Sequence, residues 1–441
     1  MKTLHRVRKL TCPKLGLVLI AACNLSTSPN NGGGGGGSGG SGSGGGGTGG
    51  NNTCAPAATS TCAPAQVTAS PVTLFKNVAE VSALAAGDVN GDGKDDVVMA
   101  WGGTGAGISV LLNKGDGTFG TPIAVPEEVQ GYDIVVADFT GDCNADILVP
   151  GYQDGSPTVD LLVSNGDGTF QAPVQLPTRD ENVLSLVAAD FNRDGKLDFA
   201  EFNLSAESGA GVQVSLGTST GFSPPTTFDA GDEQSYPTET RGLAAADLDG
   251  DGASELLLAS PSKGACVLKN DGHGQFEGAP ICYAATLNYS GDTIAAGDVN
   301  GDGKPDIVLG NGESVTSDNG SVIDVFLNKG DGTFGAPVAV PFPGAFYGAV
   351  ALVDTNNDKK LDLVVYYAGA PSDPDAGFWV YLNDGTGTFP ATPTAAYALA
   401  GGDAQPAYGD FLGNGLVGMV ASSAGSDIND DLDVVTSSCA P

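Results

Sequence analysis

Basic residues are scarce. The 441-residue chain has 18 Lys and Arg against 52 Asp and Glu, a formal net charge of −34. Phosphate neutralisation needs clustered Lys and Arg, so nucleic-acid partners are excluded. Histidine is scarcer still: His5 lies in a basic N-terminal stretch and His273 in the turn Asn270-Asp-Gly-His-Gly. Histidine-based catalysis and zinc chemistry have little to work with, and His273 reads as a polar turn residue. No HExxH or Walker A pattern occurs, and no Gly-x-Ser-x-Gly sits at a strand-to-helix elbow. No stretch of ten or more residues shows clean helical periodicity between caps. The apolar run Leu15–Ala22 would rise only about 12 Å as a helix, against a hydrocarbon layer of about 30 Å, so it is no membrane span.

What is present begins with an address. Lys2, Arg6, Arg8 and Lys9 precede the apolar run, which ends Ile20-Ala21-Ala22-Cys23. Residues 1–22 read as an export signal. The last four residues resemble the bacterial lipoprotein box, which implies lipidation of Cys23 as the new N-terminus. Residue 24 is Asn, and the reading favours the outer membrane or cell surface. Residues 23–70 form a linker, Gly-rich over 32–50. Such a segment cannot offset its ordering entropy, and those nineteen residues would span roughly 24 Å as a flexible coil.

Residues 71–441 carry a repeat. The pattern D-x-[DN]-x-D-G-x-x-[DE] is complete at Asp88, Asn90, Asp92, Asp96; at Asp190, Asn192, Asp194, Asp198; at Asp247, Asp249, Asp251, Glu255; and at Asp298, Asn300, Asp302, Asp306. Two copies are altered: Asp138, Thr140, Asp142, Asp146 with Cys143 in the Gly place, and Asp354, Asn356, Asp358, Asp362 with Lys359 there. A seventh keeps Asp410 and Asn414 but has Leu412 and Gly418 at two ligand places. Successive first residues are 50, 52, 57, 51, 56 and 56 apart. A steady period of this size means a solenoid, propeller or array. A second signature, at best Asn-Lys-Gly-Asp-Gly-Thr-Phe, alternates with the first and ends at Phe119, Phe170, Phe222, Phe276, Phe334 and Phe389. Between these marks lie short β-branched runs such as Ile134-Val-Val-Ala137. Each unit therefore holds about four strands, one propeller blade.

The chain ends agree. The seventh loop starts too late for its own Phe, yet Phe75 stands ahead of the first loop. The expected fold is all-β, a seven-bladed propeller whose N-terminal strand around Leu74 and Phe75 completes the last blade and removes open sheet edges. These residues resemble the FG-GAP/VCBS repeat family, the repeats of integrin α-subunit propellers and of many bacterial exported proteins; Phe334-Gly335-Ala336-Pro337 matches its namesake string best.

Each nine-residue loop offers oxygens at positions 1, 3, 5 and 9, and a carbonyl at position 7: Lys94, Asn144, Lys196, Ala253, Lys304 and Lys360. Flexible, oxygen-only coordination suits Ca²⁺. Four strong sites are expected, and two weaker ones at Asp138 and Asp354. An EF-hand is excluded because position 12 is Met99, Val149, Leu258, Leu309 or Val365; Glu201 alone is acidic there. The resemblance implies structural cations, with ligands bound elsewhere on the disc. Cys266 and Cys282 flank a turn almost symmetrically and are expected to pair across two strands, while Cys54, Cys62, Cys143 and Cys439 leave three pairings open. Trp101, Tyr132, Tyr152, Tyr236, Tyr289, Phe346, Tyr347 and Trp379 fall between motifs, where rings serve packing more often than sugar binding. The expected function is non-enzymatic: a calcium-binding, lipid-anchored module for adhesion or capture of an extracellular protein or glycan. The alternatives are a carbohydrate lectin and a lyase or hydrolase of extracellular polysaccharide.

Overall fold

The structure is a computed structural model. It describes residues 67–439 except 79–80, 102–106, 126–132, 154–155, 179–182, 206–208, 220, 231–241, 261, 277, 287–290, 312–320, 343–347, 368–375, 400–405, 413, 415 and 425–429. The expected signal, lipidation site and linker up to residue 66 lie outside the described residues.

Every described element is a strand, and all but a two-stranded side hairpin form seven four-stranded antiparallel sheets. Strand β1 (Val67–Val78) comes first. Blade 1 is β2 (Val81–Gly87), β3 (Asp96–Trp101), β4 (Gly107–Leu111) and β5 (Ile123–Val125). Blade 2 is β6 (Val135–Ala137), β7 (Asp146–Gln153), β8 (Ser156–Leu162) and β9 (Val174–Pro177). Blade 3 is β10 (Val183–Ala189), β11 (Asp198–Ser205), β12 (Gly209–Ser215) and β15 (Thr226–Asp229), with the two-residue strands β13 (Gly217–Thr218) and β14 (Gly221–Phe222) as a side hairpin. Blade 4 is β16 (Leu243–Ala246), β17 (Glu255–Ser260), β18 (Gly264–Leu268) and β19 (Ile281–Tyr283). Blade 5 is β20 (Gly291–Gly297), β21 (Asp306–Asn311), β22 (Ser321–Phe326) and β23 (Val338–Phe342). Blade 6 is β24 (Gly348–Val353), β25 (Asp362–Tyr367), β26 (Gly377–Tyr381) and β27 (Ala395–Ala398). The last sheet has the order β1-β30-β29-β28, from β28 (Ala407–Gly409), β29 (Gly418–Ala424) and β30 (Asp430–Cys439).

The N-terminal strand therefore completes blade 7. It pairs with β30 from Val67 opposite Cys439 to Val78 opposite Asp430. The strand starts at Val67, so the propeller begins before residue 71, the boundary expected from composition. Pairing with a complete partner strand recruits residues 67–70, which carry no repeat signature of their own.

The apolar runs are continuous because each sheet is buried on both faces. In β3, Val97 and Met99 pack toward blade 7, while Val98 and Ala100 pack toward blade 2. Seven core clusters result, one between each pair of adjacent blades. The seam between blades 7 and 1 is as dry as the others: Leu111, Phe411, Val420 and Leu432 are each 0 % exposed. Each fully buried Val, Leu or Phe contributes about 1.5–3 kcal/mol by leaving water. Closure of the ring thus gains a full interface, which an open array would leave wet. Among the described residues, no helix is long and apolar enough to cross a membrane.

Candidate functional site

The acidic loops join the innermost strand of each blade to the second, and each holds eight residues between its strands. Their backbone is dictated at two points. Positions 4 and 6 take positive φ in loop after loop, as at Gly91 (71°), Gly93 (81°), Gly301 (75°) and Gly303 (80°). All four non-glycine residues with positive φ among the described residues fall at these points: Cys143 (70°), Arg193 (62°), Asn357 (59°) and Lys359 (67°). The two altered loops, where weaker sites are expected, therefore keep the same turn without its glycine.

Position 1 organises the turn. Asp88 accepts the N–H of Asp92 at 3.1 Å and that of Gly93 at 2.7 Å. Asp190, Asp298 and Asp354 do the same, and Asp138 accepts from Asp142 and Cys143. Asn90, Asn192, Asn300 and Asn356 at position 3 each accept the N–H of position 5. Position 5 turns outward to the lysine at position 7: Lys94 Nζ meets Asp92 at 2.8 Å and Lys196 Nζ meets Asp194 at 2.7 Å.

Position 9 is the first residue of the second strand and is buried. Asp96, Asp146, Asp198, Asp306 and Asp362 are 0 % exposed and Glu255 is 2 %. In each case one carboxylate oxygen accepts the N–H of position 2: Val89, Phe139, Phe191, Leu248, Val299 or Thr355. In five of them the other oxygen accepts an N–H from the outer hairpin: Asn113, Ser164, Gly217, Asn328 or Asn383. Burial pushes these carboxyls up, to about 7 at Asp96 and Glu255 and about 6 at Asp146, Asp198, Asp306 and Asp362. Neighbouring loop carboxylates add to the rise, as Asp298 and Asp302 do at Asp306.

The second signature is the other half of this network. Asn328 Nδ2 donates to Pro305 O of its own loop and to Leu248 O in the loop of the preceding blade. Asn270 and Asn383 repeat the pair of bonds one blade earlier and one blade later. The signature Phe packs on the same neighbouring residue: Phe119 lies 5.6 Å from Phe411 and Phe276 lies 5.5 Å from Phe191, both edge-on. Blade 7 has no such hairpin, since its outer strand comes from the N-terminus. Position 2 of the preceding loop is correspondingly Thr355, whose hydroxyl bonds Asp362.

One loop gathers three acids. Ligand oxygens of Asp247, Asp249 and Glu255 lie within 4.8 Å of one another, the one such set of His, Cys, Asp or Glu among the described residues. The difference is in the sequence: position 3 is Asp rather than Asn or Thr, which adds a third acid to positions 1 and 9. Glu255 Oε1 is buried without a hydrogen bond of ordinary geometry, and the Asn270 amide lowers its pKa only in part. Crowded oxygens with an orphaned lone pair fit a hard cation such as Ca²⁺. The other five loops offer oxygen donors at the same places, with a neutral Asn or Thr at position 3.

The profile of the FG-GAP-like repeat matches residues 82–149, 151–200, 247–309 and 312–365, more than half of the chain. The chain belongs to the FG-GAP-like repeat family. No curated protein is significantly similar in sequence. Among solved structures, an Agrocybe aegerita lectin specific for non-reducing terminal N-acetylglucosamine is similar at 23% identity and a TM-score of 0.51, covering 75% of this chain and 82% of its own. The WD40 domain of Toxoplasma gondii coronin is similar at 12% identity and a TM-score of 0.54, covering 87% and 89%. At these identities the likeness is one of fold.

Within this FG-GAP-like propeller, the aromatics that the structure describes serve packing. Trp101 lies against the core between blades 7 and 1, and Trp379 lies between blades 5 and 6, its ring 5.5 Å from Phe342. Tyr132, Tyr236, Tyr289, Phe346 and Tyr347 lie outside the described residues, as does the Tyr152 side chain. Cys266 and Cys282 sit opposite one another on β18 and β19 and form a disulfide. Cys143 is half-buried at position 6 of its loop. Sequence reasoning missed the bracket role of position 9, although the fixed alternation of the two signatures was its signal.

Proposed function

We propose that this FG-GAP-like propeller is a non-enzymatic binding module, exported and held at the cell surface through Cys23, with calcium in its acidic loops stiffening the blades. Asp88, Asp138, Asp190, Asp247, Asp298 and Asp354 would each hold a cation with their loop partners, the Asp247 loop most readily. The ion would supply charge compensation to carboxylates that otherwise repel one another.

One observation carries the reading: the disc has two unlike faces. On one, every acidic loop has the same length, and hairpin asparagines tie several of them to the adjacent blade. On the other, the connections between strands run from 2 residues between β7 and β8 to 13 between β15 and β16. Variation confined to one face of a rigid scaffold is how binding specificity is carried. Val67 sits opposite Cys439, at the acidic-loop end of blade 7. A tether from there would leave the variable face directed away from the membrane. The lectin of similar fold supports a glycan as one ligand class.

The test is a glycan array together with a pull-down from an extracellular protein fraction, each with Ca²⁺ and with chelator. Retention of a defined ligand that is lost on replacing a variable-face connection supports the reading. Turnover of a polysaccharide panel, with no retention, would favour the enzyme.

A further inference from the structure

Glu201 breaks the pattern of its blade position. The equivalent residue in the second strand of the other blades is Met99, Val149, Leu258, Leu309, Val365 or Ala421. Each of those packs into a seam between blades. A carboxylate at a core position is costly unless something compensates it.

Its neighbours are polar too. Glu201 pairs across β11 and β12 with Gln213, and Asn203 lies two residues further along the same face. This face looks toward blade 2, because the alternate residues Phe202, Val212 and Val214 fill the core between blades 3 and 4. Thr178, just after β9 of blade 2, donates its hydroxyl to Glu201 Oε1 at 2.7 Å, and Asn203 Nδ2 donates to the same oxygen at 3.1 Å. Glu201, Asn203 and Gln213 are 2 %, 1 % and 1 % exposed. Yet neither amide atom of Gln213, nor Asn203 Oδ1, makes a hydrogen bond. Gly211, which pairs with Asn203, puts no side chain beside them; an added Cβ there would make ordinary contact at 3.6 Å.

We propose that the carboxylate of Glu201 and the side-chain carbonyls of Asn203 and Gln213 form a buried seat for a small monovalent cation between blades 2 and 3, separate from the acidic loops. One formal negative charge with two neutral oxygens matches a single positive charge. The oxygens are hard donors, as alkali cations require, and Thr178 orients the carboxylate from the neighbouring blade.

The test is thermal unfolding of the whole chain at saturating Ca²⁺ and matched ionic strength, in sodium chloride or tetramethylammonium chloride. The organic cation is too large for the seat. Sodium should raise the unfolding midpoint of the native protein in a saturable way. Glu201→Met and Gln213→Ser, which install the residues of blade 1, should fold and lose this response. Asp247→Asn, in the acidic loop of blade 4, should keep it. Equal midpoints in the two salts would overturn the proposal. So would an undiminished sodium response in both blade 3 variants.

Discussion

Four residues of the acidic loops sit in a conformation their side chains disfavour. Lys359 and Cys143 hold φ of 67° and 70° where the sister loops have glycine. A left-handed L-residue costs roughly 1–2 kcal/mol, offset in part by the greater freedom glycine has when unfolded. Lys359 is exposed, and its N–H, which bonds Asp354 Oδ2, survives the change. Lys359→Gly should therefore stabilise the protein by about 1 kcal/mol, measured by denaturant unfolding. Arg193 is the opposite case. It takes the same strained φ but reaches across the blade boundary to Gly272 O and Asp251 O. Arg193→Gly should gain nothing, because two inter-blade bonds are lost with the strain. The aspartates were legible as a cluster from their spacing. That position 9 is buried and turned toward backbone N–H groups was not, because burial depends on the hairpin and neighbouring blade that cover it.

At the scale of the element, the blade is held to its neighbour by the hairpin asparagine as well as by the apolar seam. Asn328 is 4 % exposed and uses both Nδ2 protons on carbonyls of two different loops. Asn328→Ala should cost about 3 kcal/mol, from two lost bonds and two stranded carbonyls. Asn328→Asp should recover little, since a carboxylate cannot donate. The closing strand is the other decisive element. Without β1, strand β30 would present an open edge on a sheet whose remaining faces are buried. A chain starting at Val81 should unfold at a lower temperature and self-associate through that edge, seen by calorimetry and size-exclusion chromatography. Strand positions were legible from short apolar runs between acidic turns. The extent of β1 was not, because residues 67–70 become strand only by pairing with β30.

For the whole molecule, the position 9 carboxyls set an unusual pH dependence. Their folded pKa values, about 6 to 7, lie above those of an unfolded carboxyl because burial disfavours the charge. Between about pH 4 and 7 the folded state then binds more protons than the unfolded one, so stability falls as pH rises. In chelator, the unfolding midpoint should be higher near pH 5 than near pH 7.5. A cation in the loops favours the charged form, so Ca²⁺ should raise the midpoint at the higher pH and flatten or reverse the slope. Calorimetric melts across pH, with and without Ca²⁺, check both. An unchanged melt on adding Ca²⁺ at neutral pH would count against structural metal.

The sequence alone determined the period, the strand class and the place of each acidic turn, since these follow from local chemistry: oxygen donors and glycines at fixed spacing, then β-branched runs of strand length. It also determined that the two chain ends must share a blade, because one lacked what the other had to spare. Tertiary structure decided what spacing cannot carry. It set how closely the oxygens of a loop approach, with those of Asp247, Asp249 and Glu255 within 4.8 Å of one another. It gave position 9 its second role as a bracket, and it buried the polar group around Glu201 between blades 2 and 3. These depend on groups brought together from different strands and blades, and contact with a neighbour 23 or 80 residues away leaves no mark in a local pattern.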